Sequence, residues 1–119
     1  DANIINCEDL PTNTIYLNSD GTLWYSSDQN IHGFQFDIYG VDITNASGGD
    51  AEDNGFTFEF NSNEEFTRVL GFSISGNSIP SGCGQLVDLT YEGTATQIID
   101  IIFATNYGSI IDMSYYNCP

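Results

Sequence analysis

Few residues of this sequence are of types that could catalyse a reaction, and their sequence neighbours do not support catalysis. The single histidine, His32, has no Gly-x-Ser-x-Gly motif beside it to supply a serine nucleophile and oxyanion hole. Cys83 lies in SGCGQ, which contains no basic residue to activate the thiol. The adjacent carboxylates Glu64 and Glu65 are more typical of a solvated turn than of a glycoside-hydrolysing pair. We therefore predict that the chain is not an enzyme.

Calcium is the one metal ion for which the sequence offers a set of ligands. Zinc is not predicted, because the three cysteines are far apart and only one histidine accompanies them. The segment GGDAEDNG supplies four side chains with oxygen atoms that could surround calcium: Asp50, Glu52, Asp53 and Asn54. Their spacing differs from that of an EF-hand loop, and solvated loop residues are the alternative interpretation. No other cofactor is predicted.

The three cysteines allow at most one internal disulfide bond and leave one thiol over. We predict that Cys7 bonds to Cys118, because this bridge would hold both ends of the chain in place. The alternative is that Cys7, Cys83 and Cys118 are all reduced and buried.

The charge balance is strongly negative, with seventeen acidic residues against a single basic residue, Arg68, and a formal net charge of -16. Such a surface cannot neutralise phosphates or anionic lipid head groups, so neither nucleic acid nor a membrane surface is a predicted partner. It suits a salty exterior such as seawater, since high ionic strength screens self-repulsion. The sequence also lacks an apolar window of about 18 residues for a membrane span. We predict a mature secreted protein, extracellular or at a cell surface.

Alternation of apolar and polar residues predicts an all-β fold. In GFQFDI, Phe34, Phe36 and Ile38 fall on one side of an extended chain, as in a half-buried strand. About nine short strands of this kind are typical of a two-sheet antiparallel sandwich or jelly roll. We predict one domain, residues 1–119, with residues 1–13 as a candidate N-terminal arm. The predicted strands are 14–17, 22–27, 32–40, 41–44, 55–60, 67–75, 85–92, 97–105 and 109–116.

Three aromatic residues are candidates for stacking on sugar rings. Trp24 is the strongest, because its apolar strand neighbours should occupy the opposite side of the strand, and Tyr39 and Tyr91 are the other two. The alternative is that these side chains belong to the core. The tripeptide Asn-Ala-Ser at 45–47 also makes Asn45 a candidate glycosylation site in a secreted protein.

The chain resembles the cohesin-type family of extracellular β-sandwich modules, particularly short variants in secreted and surface proteins of marine microbes. The resemblance covers about residues 21–93 and implies the same fold. Cohesins bind calcium-loaded helical dockerins through one sheet face, so the resemblance also implies an assembly module. Three segments carry the resemblance: GTLWYSS, IHGFQFDIYGVDITNASGGDAEDNGFTF and VLGFSISGNSIPSGCGQLVDLTYEG. The matching positions are Gly33, Phe34, Phe36, Asp37, Pro80, Gly84 and Leu86.

The resulting prediction is a non-enzymatic extracellular structural module, a subunit of a surface fibre, sheath or coat that acts by self-association or by docking another surface protein. A carbohydrate-binding module and a virion surface protein are the alternatives. The terminal segments could add strands to a neighbouring copy, or they could complete the molecule's own sandwich. The candidate assembly residues are Ile4, Ile5, Ile110, Ile111, Tyr115 and Tyr116.

Overall fold

The computed structural model describes residues 6–105 and 108–116, and nearly all of the regular structure in them is β-strand. Two short helices accompany the strands, a 3-10 helix at Cys7–Asp9 and the α-helix α1 at Gly49–Asp53. The strands are β1 Thr14–Leu17, β2 Thr22–Ser27, β3 Gly33–Ser47, β4 Thr57–Ser62, β5 Phe66–Phe72, β6 Gly82–Ala104, β7 Ile110–Ile111 and β8 Ser114–Tyr115. In these residues no helix is long and apolar enough to cross a membrane.

The strands form one curled sheet in the order β4-β5-β3-β6-β2-β1-β8, and β7 pairs with β6. Neighbouring strands are antiparallel except for β1 and β8, which are parallel. Side chains from both ends of the sheet meet in one core, for example Ile15 and Leu23 from one end and Phe36 and Val69 from the other. The sheet is therefore folded over on itself as a β-sandwich, which confirms the predicted fold class.

Two strands are much longer than the sequence predicted. The predicted strands 32–40 and 41–44 are parts of β3, and 85–92 and 97–105 are parts of β6. Gly40 and Gly93 lie where these predicted strands meet, at a bulge where the chain bends without leaving the sheet. Each glycine has a positive φ, 89° and 102° respectively, and the two backbones lie against each other. Since β3 and β6 continue through the bend, they contribute to both layers of the sandwich.

Thr67 supports the bend from inside the core. Its side chain is fully buried, and its hydroxyl donates a hydrogen bond to the carbonyl of Val41 (3.1 Å) and accepts one from the amide of Ile43 (3.4 Å). These backbone groups lie in β3 just beyond Tyr39, the last residue of β3 that pairs with β5. The threonine side chain thus gives hydrogen-bond partners to backbone groups that lie past the end of this pairing.

The segment Ala-Ser-Gly-Gly-Asp ends β3 and starts α1, a helix that the sequence pattern did not predict. Gly48 and Gly49 both have positive φ, 74° and 70°. A Cβ atom on Gly49 would lie 2.4 Å from the carbonyl oxygen of Leu86, so only glycine fits there. Glu52 accepts a hydrogen bond from the amide of Gly48 (2.8 Å), and Ala51 is buried in the core, so the short helix is held at its start and along one side.

The disulfide bond joins Cys7 to Cys83, so the predicted pairing of Cys7 with Cys118 is wrong. The 3-10 helix contacts the start of β6, where Cys83 lies opposite Ser26 of β2, and the Cα atoms of the two bonded cysteines are 5.5 Å apart. Strand pairing, which spacing along the chain does not reveal, brings this cysteine to the N-terminal segment. Cys118 lies outside the described residues.

Candidate functional site

One layer of the sandwich presents a broad face that points away from the core. In β3, Phe34, Phe36 and Ile38 are buried, so the alternate residues lie on the other side of the strand. The register of β4, β5, β6 and β7 with β3 places further side chains beside them. We call this surface the outer face, and its members are Gln35, Asp37, Tyr39, Glu59, Asn61, Phe66, Arg68, Leu70, Ile99, Ile102 and Ile110.

A fixed ion pair lies at the centre of the outer face. Arg68 donates two parallel hydrogen bonds to Asp37, from Nε to Oδ1 (2.8 Å) and from Nη2 to Oδ2 (3.0 Å). The Asp37 side chain is only 1% exposed, whereas that of Arg68 is 45% exposed. The hydrogen bonds and the charge of Asp37 raise the pKa of Arg68. The chain's only basic residue is thus held in one orientation with its guanidinium group partly open to solvent.

Aromatic rings fix the ion pair from one side. The guanidinium carbon of Arg68 lies 5.8 Å from the centre of the Phe66 ring, and Phe66 stacks on Tyr39 with ring centres 4.9 Å apart. A groove of about 430 Å³ runs beside these residues along β4 and β5. Stacked rings and a bidentate pair restrict side-chain rotation, so a ligand would meet a preorganised surface.

Apolar side chains also belong to the outer face. Ile102 is 42% exposed and Ile110 is 60% exposed, while Leu70 and Ile99 are half-buried. Ile102 reaches the outer face because Asp100 has a positive φ (53°) and β6 carries one extra residue there, between the residues paired with Asp37 and Gln35. Exposed aliphatic side chains on the same face as a rigid arginine are typical of a protein-binding surface.

The three candidate sugar-stacking residues lie on different surfaces. Trp24 is half-buried on the opposite layer, where it packs against Leu10 and Tyr16, and its Nε1 is buried without a hydrogen-bond partner among the described residues. Tyr39 is stacked on the outer face, and Tyr91 packs against the core, where burial raises its pKa. The structure therefore does not bring them together into one platform, and carbohydrate binding stays a prediction.

The four candidate calcium ligands lie in and just after α1. Asp50 accepts a hydrogen bond from the hydroxyl of Tyr25 (2.6 Å), Glu52 caps Gly48, and the side-chain amide of Asn54 donates to the backbone carbonyl of Asp50 (2.7 Å). Across residues 6–105 and 108–116, no three His, Cys, Asp or Glu side chains are close enough to hold a metal ion. Calcium binding also stays a prediction.

Because of Tyr25, the stability of the fold should decrease as the pH rises in the alkaline range. Burial, followed by the hydrogen bond and charge of Asp50, raises the pKa of Tyr25 above its ordinary value of 10.0. Above about pH 10 the unfolded chain therefore loses this proton while the folded chain keeps it, and the free energy of unfolding falls by at most about 1.4 kcal/mol per pH unit. We expect Tyr25→Phe to remove much of this slope in urea titrations between pH 8 and pH 11, whereas Tyr91→Phe should retain most of it. An unchanged slope in Tyr25→Phe would contradict this assignment.

The remaining candidate residues are divided between core and surface. Ile111 is buried opposite Phe103, and Tyr115 pairs with β1 and stacks on Tyr16 with ring centres 5.6 Å apart. Ile111 and Tyr115 therefore complete the molecule's own sandwich, whereas Ile110 is exposed.

The last four candidates are Tyr116, Asn45, Ile4 and Ile5. Tyr116 contacts the ring of Tyr16 edge-on, and Asn45 is exposed near the end of β3, where its side chain donates to the hydroxyl of Ser47 (3.3 Å). The assembly candidates Ile4 and Ile5 lie outside the described residues. Glycosylation and a role of the termini in assembly stay predictions.

Sequence reasoning missed most of the outer face. The ion pair had a weak signal, because Arg68 is the only basic residue and Asp37 lies on the polar side of the phenylalanine strand. Ile102 had none, because its orientation depends on the bulge at Asp100.

The β-sandwich has the fold of a cohesin. Over 86% of its length the chain is similar to a solved structure of a non-cellulosomal cohesin from the hyperthermophilic archaeon Archaeoglobus fulgidus, 84% of which is covered. The TM-score is 0.66 and the sequence identity is 14%, so the similarity is one of fold. No protein-family model and no curated protein matches the sequence. The resemblance found in the sequence is thereby confirmed at the level of the fold.

Proposed function

We propose that this chain is a non-enzymatic docking module that binds a partner protein through the outer face. The observation that carries the proposal is the combination of exposed Ile102 and Ile110 with the fixed Arg68–Asp37 pair on one preorganised sheet face. Monomeric proteins seldom leave contiguous apolar side chains exposed unless the patch binds something. The similar archaeal protein is named a cohesin, which fits a docking role for this fold.

The setting of this function is extracellular. The Cys7–Cys83 disulfide is typical of an oxidising compartment, and the net charge of -16 suits water of high ionic strength. In this setting the module serves as a subunit of a surface assembly such as a fibre, a sheath or a coat, on a cell or on a virion. Docking through the outer face links it to a neighbouring component of that assembly.

The docking proposal predicts that a charge at Ile102 disrupts binding while the same change elsewhere does not. We expect Ile102→Glu to weaken binding by about tenfold or more, because a buried apolar contact is replaced by a desolvated carboxylate. Ile74→Glu is the matched control, since Ile74 is 84% exposed and lies in the turn after β5. Biolayer interferometry against immobilised dockerin modules and against the chain itself measures both variants.

Two outcomes would contradict docking through this face. One is an equal loss of affinity in Ile102→Glu and Ile74→Glu, which would reflect net charge alone. The other is saturable binding on a glycan array that Trp24→Ala abolishes and Ile102→Glu does not alter, which would favour the carbohydrate-binding alternative.

A further inference from the structure

The β4 strand leaves one edge of the sheet open. Thr57–Ser62 pairs with β5 on one side, and no other strand in the described part of the chain pairs with its second side. The strand contains no proline or lysine and its pairing with β5 has no bulge, so Glu59 is the one charged residue that protects this edge. Phe60, opposite Val69, is 38% exposed at the margin of the sandwich. The edge thus offers both unpaired backbone groups and apolar surface.

We propose that this edge pairs with β4 of a second copy of the chain, antiparallel and about a two-fold axis at Phe60, so that two sheets become one. In this register Phe60 lies opposite its own counterpart, Glu59 opposite Asn61, and Phe58 opposite Ser62. The two residues of each pair lie on the same side of the combined sheet, either the core side or the outer-face side, as the pleat requires. The contact is isologous and closes at a dimer.

The charge of the strand selects this register over its neighbours. A two-fold axis at Glu59 or at Phe60 pairs five residues of β4 with the second copy. Any other axis that keeps core-side residues opposite core-side residues pairs three residues of β4 or fewer. An axis at Glu59 would place two carboxylates directly opposite each other, which is destabilising. The axis at Phe60 instead places each carboxylate opposite an amide and the two phenyl rings against each other. The sequence TFEFNS is therefore self-complementary in one register.

Such a dimer leaves the outer face free. A two-fold axis that relates antiparallel strands of one sheet is perpendicular to the sheet, so both outer faces lie on the same side. Because the interface is the strand edge, the pairing does not depend on whether the outer face docks a partner. Each copy carries a net charge of -16, so association should strengthen as salt screens the repulsion.

Cysteine cross-linking tests the register. In a Cys118→Ser background, Phe60→Cys should form a covalent dimer on mild oxidation at about 0.5 M salt, because directly opposed residues bring Cα atoms within disulfide range. The mass on non-reducing gels should double from 13.0 kDa, and peptide mapping should still show the Cys7–Cys83 bond. Asn61→Cys is the matched control, because it keeps Glu59 and its cysteine would lie opposite Glu59 of the other copy, so it should form no covalent dimer.

Two results would overturn the proposal. Covalent dimers of Asn61→Cys that form as readily as those of Phe60→Cys would show that the two strands do not pair in this register. Absence of a Phe60→Cys dimer, together with a wild-type protein that sediments as a monomer at high protein concentration and high salt, would show that the edge does not self-associate. In the supporting case, sedimentation of the wild type shows a dimer fraction that rises with salt and is lost in Phe60→Lys, with circular dichroism confirming that this variant is folded.

Discussion

Replacing Cys7 by serine is expected to lower the free energy of unfolding by about 4 kcal/mol. The Cys7–Cys83 bond joins residues separated by 76 positions, and closing a loop of that length in the unfolded chain accounts for a loss of this size in the chain-entropy treatment. The melting temperature should fall by roughly 15 °C. Urea and thermal unfolding of wild type and variant, each with and without reductant, measure the effect.

Cys118→Ser is the control for this prediction. The free energy of unfolding of this variant should equal that of the wild type. Reductant should lower the stability of the variant by as much as it lowers that of the wild type. A digest without reduction should yield one peptide pair that contains Cys7 and Cys83. A loss of stability in Cys118→Ser equal to that in Cys7→Ser, or a peptide pair that contains Cys118, would contradict the assigned bond.

Local patterns in the sequence were sufficient for the fold class. Alternation in GFQFDI predicted which side of β3 is buried, and Phe34, Phe36 and Ile38 are all in the core. The alternation of apolar and polar residues depends only on neighbours in sequence, so it can be detected without knowledge of the partner strand. The same reasoning correctly placed Trp24 on the opposite side of β2 from Leu23.

Non-local pairing determines what the sequence could not reveal. The outer face exists because Arg68 lies opposite Asp37 and because the bulge at Asp100 turns Ile102 outward. The disulfide forms because β2 brings the start of β6 towards the N-terminal segment. None of these registers has a signature within a short window, since each depends on where a strand from elsewhere in the chain is paired.

Gly40 lies at a strand boundary that was predicted wrongly. The predicted strands 32–40 and 41–44 meet at this glycine, yet β3 continues through it. A bulge needs the same conformational freedom as a turn, so composition does not distinguish the two. What distinguishes them is the close approach of β6, whose Gly93 and Thr94 lie against the Gly40 backbone.

This close approach predicts a large penalty for a single methyl group at Gly40. In Gly40→Ala the new Cβ would lie 2.2 Å from the carbonyl oxygen of Thr94, a backbone atom in the paired strand, and φ is 89°. Gly76→Ala is the matched control, because Gly76 has a similar φ of 79° but no atom within 4 Å of the place that a Cβ would occupy. We expect the control to cost about 1 kcal/mol from backbone strain and Gly40→Ala to cost at least about 3 kcal/mol.

The difference between the two alanine variants isolates the contact between β3 and β6 from the cost of a positive φ. Chemical denaturation gives both values, and amide exchange in β3 and β6 should show that the extra loss in Gly40→Ala is concentrated around the bend. Because the outer face lies on the segments that follow this bend in β6 and precede it in β3, loosening the bend should also weaken docking, although Gly40 is not a member of that face. Equal costs for the two variants would mean that β6 can move away from Gly40 freely, and the bend would then not be the element that holds the two layers in register.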